Sequence, residues 1–300
     1  MNKKAKAWLI VAGCLIIAGS ILFTAALMAN DWDFSKLGTA KYETNTYTPD
    51  GAFSKIHIYT EEADVTLIPS ESNICTVVCH EQENAQHVVD LQNDALYVRI
   101  RNDKKWYEYI GINFGTPKIT ISLPQNAYDA LFVYTDTGDV EIPEDFQFDT
   151  LDISVSTGDV TSRASVDDSL KIATSTGNIR LENITAKKIS LTVSTGNTYL
   201  TNVDCESLNT SGSTGHITLK NVIVAGIMSV ERSTGDVKLD GCDAGEIYVK
   251  TSTGDVTGTL LSEKIFVTKT STGKVNVPQS ASGGKCTITT STGDINITLG

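Results

Sequence analysis

Six prolines and six cysteines in 300 residues are small numbers, and each narrows the reading. Scarce proline beside 23 glycines argues against a linker or stalk composition, and points to glycine placed for a specific backbone purpose. The cysteines do not form a disulfide framework. Cys14 falls in an apolar run, and Cys75 and Cys79 stand four apart on one face of an expected strand, about 13 Å from each other and too far to bridge. Cys205, Cys242 and Cys286 occupy different positions of a repeat, so small buried apolar roles are expected for them. Cys75, Cys79, His80 and His87 also miss the usual zinc-ligand spacings. Basic charge is lacking too: 24 Lys and Arg against 36 Asp and Glu give −12, a surface that repels polyanions and excludes nucleic acid as a partner. No Ser-His-Asp set, P-loop or dinucleotide fingerprint occurs. With 40% hydrophobic and 20% charged residues the chain is globular, not disordered.

Charge is absent altogether between Ala7 and Asn30. Residues 1–6 read as a cytoplasmic tip with Lys3, Lys4 and Lys6, residues 7–29 as a transmembrane anchor long enough for a hydrocarbon core of roughly 30 Å, and residues 30–49 as a linker. The lysines on one side and Asp31 and Asp33 on the other place the N-terminus in the cytoplasm and the rest outside the membrane. The exported part then carries 21 basic and 36 acidic residues, a net −15. Two rival readings are a lipobox, Val11-Ala12-Gly13-Cys14, with lipidation at Cys14, and cleavage after Ala29; the uncleaved anchor is favoured because only a short apolar stretch precedes Cys14.

The glycine excess resolves into a repeat. Ser-Thr-Gly, or Asp-Thr-Gly in its first copy, ends at Gly138, Gly158, Gly177, Gly196, Gly215, Gly235, Gly254, Gly273 and Gly293, in steps of 19 or 20. Apolar residues recur seven and five positions before the glycines and two and four after them, as in Leu170, Ile172, Ile179 and Leu181 around Gly177, with Thr198, Thr210 and Thr268 inside the columns and Ser162 and Gly258 as exceptions. Period two on both sides of a glycine means strand, turn, strand. One such unit cannot bury its apolar face alone, so copies must stack. Residues 128–300 are therefore expected to form an all-β parallel β-solenoid of about nine rungs, a rod of roughly 40 Å at the spacing of paired strands.

Residues 50–127 read as an N-terminal β capping region. Ile56 to Leu67 reproduces the repeat with Ala63 in the glycine position, a degenerate first rung, and further strands are expected at Ile74–Val78, Val88–Leu91, Leu96–Ile100 and Ile119–Leu123, with a turn at Gln92-Asn93-Asp94. Such a block covers strand edges that would otherwise be unpaired. Together, the lysine-led anchor, KIHIYTEEADVTLIP, KITISLPQNAYDALFVYTDTGDVEI and the serial STGD and STGN repeats resemble a bacterial putative-adhesin family of unknown function, over roughly residues 50–300. The resemblance implies a surface-exposed β-repeat protein, in some cases tied to envelope stress, and supplies no catalytic residues.

Candidate chemistry concentrates beside the repeat glycines. Asp139, Asp159, Asp236, Asp255 and Asp294 share a column with Asn178, Asn197, His216 and Lys274. Stacked carboxylates about 5 Å apart suit a retaining glycosidase, but any acidic column on stacked strands has that spacing. The same oxygens could hold a hard cation such as Ca²⁺, although the nonapeptide pattern of calcium-binding β-rolls is missing. Turn chemistry is the simpler role for the column. An unbroken threonine column, Thr137 to Thr292, could bind polysaccharide or ice, or bond to itself. Trp106, Tyr107 and Tyr109 are the one aromatic concentration outside the anchor and mark an interaction loop. The sequence thus points to a non-catalytic membrane-anchored protein, with no cofactor and no metal required, whose partners are the cell membrane through residues 7–29 and a surface protein or glycan.

Overall fold

The computed structural model describes residues 3–33, 41–104 and 115–300. Among the described residues one helix, Lys3–Ala29, is long and apolar enough to cross a membrane. Everything described beyond it is β-structure: a parallel β-solenoid of about eight turns with an antiparallel cap at its N-terminal end.

The four apolar columns read from the repeat line the interior. Leu131, Leu151, Leu170, Ile189, Leu208, Met228 and Ile247 stack in one of them, each at most 2% exposed. Partners run in strict parallel register, Leu151 against Leu131 and Leu170, Ile189 against Leu208. The coil also has a third side. After Leu181 the chain bends at Asn183, which is in the left-handed region at φ 57°, and then sends Ile184 and Ala186 inward. Asn202 and Asn221 repeat this bend at φ 54° and 52°, and Gly241 takes it over at 63°. Asparagine tolerates this conformation better than other non-glycine residues. Its side chain also bonds along the stack, since the Asn202 amide donates to Asn183 and the Asn221 amide to Asn202, at 2.9 and 3.0 Å. Cys205 stacks over Ala186 and Cys242 lies against Leu260 on this third side, small buried fillers as expected.

The glycine corner is tighter. At φ 123–148°, each of Gly158, Gly177, Gly196, Gly215, Gly235 and Gly254 sits so close to its neighbour that a Cβ would fall 1.9–2.1 Å from the carbonyl oxygen of the preceding corner glycine. No side chain fits there. The steps of 20 cost the corner nothing; between Gly215 and Gly235 the extra residue is absorbed on the far side of the coil, where the register shifts between Cys205 and Leu208.

At the N-terminal end, the strands Lys55–Thr60 and Asp64–Pro69 form the expected degenerate rung beneath the first repeat, with Ile56 opposite Leu131 and the Ala63 carbonyl under Gly138. Below it lie Ala95–Asn102 and Lys118–Leu123, still parallel. The antiparallel strands Thr76–Gln82, Ala85–Gln92 and Tyr42–Tyr47 close that end. The hairpin turns through Asn93 and Asp94, at φ 48° and 65°, the two positive-φ positions of a type I′ turn.

The other end departs from simple succession. The strand Val237–Thr253 pairs not with Lys264–Lys269, the next in sequence, but with Gly284–Thr289; Val256–Leu260 likewise pairs with Ile295–Leu299. Lys264–Lys269 and Val275–Asn276 lie outside these, paired to the C-terminal strands alone. The last two rungs are therefore interchanged, in the order Gly254, Gly293, Gly273. The outermost rung has no cover, which is why Val275, in a column buried everywhere else, is 45% exposed.

Two substitutions separate the two corners. Gly177→Ala places a methyl into the Gly158 carbonyl and is expected to cost at least about 3 kcal/mol in chemical denaturation, whereas Gly241→Asn extends the asparagine column and is expected to be neutral or stabilising by up to about 1 kcal/mol.

Candidate functional site

The corner column contains the residues singled out for chemistry, and each has a main-chain task. The N–H of Asp139 donates to Asp64 Oδ1, that of Asp159 to Asp139, and that of Asn178 to Asp159, at 3.0, 2.8 and 2.7 Å. The chain of bonds continues through Asn197, His216 and Asp236, with His216 accepting at Nδ1. It then passes Asp255 and Asp294 and ends where the Lys274 N–H donates to Asp294 Oδ1 at 2.7 Å. Every residue in the column therefore supplies a side-chain acceptor to the next rung, except the last. Asp, Asn and His can all do this and Lys cannot. Lys274 stands between Asp255 and Asp294 in sequence but at the open end of the stack in space, where no further N–H needs an acceptor.

The column brings the expected carboxylates into one exposed line with an oxygen of each already engaged. The threonine column beside it, Thr137 to Thr292, is exposed throughout. Trp106, Tyr107 and Tyr109 lie outside the described residues.

Sequence reasoning missed a different aromatic feature. On the outer face of the first rungs, His57 is sandwiched between Tyr97 and Phe132, with ring centroids 4.8 and 4.6 Å away and planes within 14° and 12°. The Arg99 guanidinium lies 4.4 Å from the Tyr97 centroid. Tyr59 and Tyr134 stand in the adjacent column, 41% and 46% exposed. Burial, reinforced by Lys55 and Arg99, lowers the His57 pKa within the stack. The signal was a cross-strand register, Tyr97 to His57 to Phe132, which becomes readable only once the strand order is known.

Buried charged groups, Arg232 and Glu81 among them, also break the apolar pattern. Arg232 points into the coil at 3% exposure and takes the space left by Gly212, donating to the Val193 carbonyl at 2.9 Å and the Thr198 hydroxyl at 3.2 Å. Burial lowers its pKa. In the cap, the Glu81 carboxylate is buried, which alone would raise its pKa, yet hydrogen bonds from His87 and Asn45 hold it below the ordinary value. The thiols of Cys75, Cys79, Cys205 and Cys286 are pushed up to about 12 by burial, so these cysteines are not nucleophiles at neutral pH.

The column's role in stacking is measurable. Asp255→Ala leaves the Asp294 N–H without its acceptor and is expected to cost about 1 kcal/mol in chemical denaturation. Asp255→Asn keeps an acceptor, as Asn178 and Asn197 do, and Lys274→Ala removes none; both are expected within about 0.5 kcal/mol of the parent.

Solved structures align with this chain at low sequence identity. A crystal structure of a putative lipid binding protein from Parabacteroides distasonis aligns with a TM-score of 0.55 and 14% identity, over 87% of this chain and 98% of that one. Putative adhesins from Parabacteroides merdae and Bacteroides fragilis align with TM-scores of 0.48 and 0.41 at 17% and 16% identity, over 88% and 86% of this chain and 98% and 97% of theirs. No curated protein matches the sequence. One family model does, over residues 53–299, all of the β-structure apart from the edge strand Tyr42–Tyr47, and the chain accordingly belongs to the Toastrack DUF4097 family.

Proposed function

We propose that this chain is a single-span protein of the bacterial cell membrane, with its N-terminus inside and its β-solenoid outside, that acts without catalysis in adhesion, surface interaction or envelope sensing. One observation carries the reading: the inward columns and the corner column are committed to stacking, so recognition falls to the outward faces, and the one around Tyr59, Tyr97 and Tyr134 is aromatic. Aromatic residues with a flanking arginine are the side chains that dominate contact surfaces. The uncharged helix and the lysines before it support the orientation.

The second reading, a carbohydrate-active or cation-binding surface that uses the corner carboxylates, is supported by their exposed alignment. The pair Asp236→Asn and Asp255→Asn separates the two, because it keeps both acceptors of the ladder while removing the charge. Cells carrying the full chain are expected to lose residues 41–300 to protease added outside. Attachment to envelope material is expected to survive the paired substitution and EDTA and to fall at least about tenfold in Tyr59→Ala/Tyr134→Ala. Turnover of a surface glycan that the Asn pair abolishes would establish the enzymatic reading instead. Attachment lost both to EDTA and to the Asn pair would establish a cation on the corner carboxylates, and protection from external protease would overturn the orientation.

A further inference from the structure

We propose that Cys79, Glu81 and His87 form a Zn²⁺ site inside the cap. A thiol, a carboxylate and an imidazole are the ligand types that zinc takes from proteins. Here one atom of each lies within 4.8 Å of the other two, and all three residues are at most 2% exposed. Tetrahedral zinc needs ligand atoms about 3.4–3.8 Å apart, so His87 Nδ1 and Glu81 Oε2, now 2.6 Å apart, would part by about an ångström and the Cys79 thiol would approach them by about an ångström at most.

The strand geometry explains why sequence spacing hides the site. Cys79 and Glu81 are two apart on the strand Thr76–Gln82 and share its inward face, and the following hairpin brings His87 back against them. The spacing is that of a hairpin, not of a zinc finger.

The surroundings are those of a metal ligand set. The His87 imidazole faces Glu81 through Nδ1 at 2.6 Å, and its other nitrogen, Nε2, is held by the Thr60 hydroxyl at 2.9 Å. An outer partner on the second ring nitrogen is what fixes the orientation of a metal-bound histidine. Glu81 is held likewise: Oε1 accepts from the Asn45 amide at 2.8 Å, and Oε2 accepts the main-chain N–H of His87. The Cys79 thiol, in contrast, packs in the core and makes no side-chain hydrogen bond among the described residues, so a cation would be its first polar partner.

Charge balance favours the same conclusion. A thiolate and a carboxylate neutralise Zn²⁺, so the occupied site is neutral and its burial carries no net charge. Binding releases the thiol proton to solvent, and the neutral imidazole that ligates through Nδ1 carries its one proton on Nε2, where it donates to the Thr60 hydroxyl. The ligands come from two strands, and their outer partners Asn45 and Thr60 come from two more, so the ion would clamp four strands of the end that closes the solenoid.

The test uses the full chain in detergent, stripped with EDTA and titrated with Co²⁺ and then Zn²⁺. One equivalent of Co²⁺ is expected to give a thiolate-to-cobalt charge-transfer band that zinc displaces, and zinc is expected to raise the Tm by several degrees over the stripped chain. Cys79→Ser should abolish the band and Cys75→Ala should not. Thr60→Val, which removes only the outer partner, should weaken zinc binding about 10- to 100-fold. The proposal is overturned if the folded chain takes up no metal, if the band survives Cys79→Ser, or if zinc leaves the Tm of the parent unchanged; this last reading holds even where a variant fails to fold.

Discussion

The structure depends on one close approach. At a single corner of the coil, consecutive rungs pass each other with a carbonyl oxygen where a Cβ would stand, 1.9–2.2 Å from its ideal position. That contact fixes register as well as composition. Once the corner glycines are superposed, positions seven and five before and two and four after must fall on one another, and the apolar columns follow. Glycine alone meets the demand because it combines positive φ with the absence of a side chain. The rest of the repeat can vary, and does so on its outward faces.

The neighbouring column adds a second constraint, which acts on the order of rungs instead of their shape. Each corner N–H points at the side chain of the rung before it, so a rung can be followed only if it offers an acceptor there. Lys274 offers none. A stack in sequence order would place it beneath Asp294 and leave that N–H unsatisfied, whereas the interchanged order places Lys274 last. The same end carries exposed lysine at positions 269 and 274, and charged side chains on an exposed edge discourage further strand addition. The chain thus marks where its stack stops in the chemistry of one residue.

Much of this was legible in the sequence, because periodicity is a local property. Period two around a recurring glycine revealed two sides of the coil, the parallel stacking and the degenerate rung at Ala63, and turn residues located the hairpin at Asn93-Asp94. The third side was not read. Its corner residues Asn183, Asn202 and Asn221 recur six positions after the glycines, a signal as regular as the glycines but weaker, since asparagine is also common in ordinary loops. Features that depend on which strands become neighbours were beyond reach: the Tyr97–His57–Phe132 stack, the meeting of Glu81, His87 and Thr60, and Arg232 over Gly212. Each requires strand order or side-chain reach across rungs, which no single repeat encodes.

For function, a rigid rod separates support from recognition. Interior and corner positions hold the stack, and its faces and ends remain free to differ between members of a family without disturbing it. The account rests on the rung order that the corner column imposes, and cross-linking tests it directly. Thr257 is registered against Asn296, which in turn is registered against Asn276, so Thr257 and Asn296 are one strand apart and Thr257 and Asn276 are two, about 10 Å. The account predicts that oxidation of a Thr257→Cys/Asn296→Cys chain forms an intramolecular disulfide and that oxidation of a Thr257→Cys/Asn276→Cys chain does not. A disulfide in the second chain and none in the first would show rungs stacked in sequence order and contradict it.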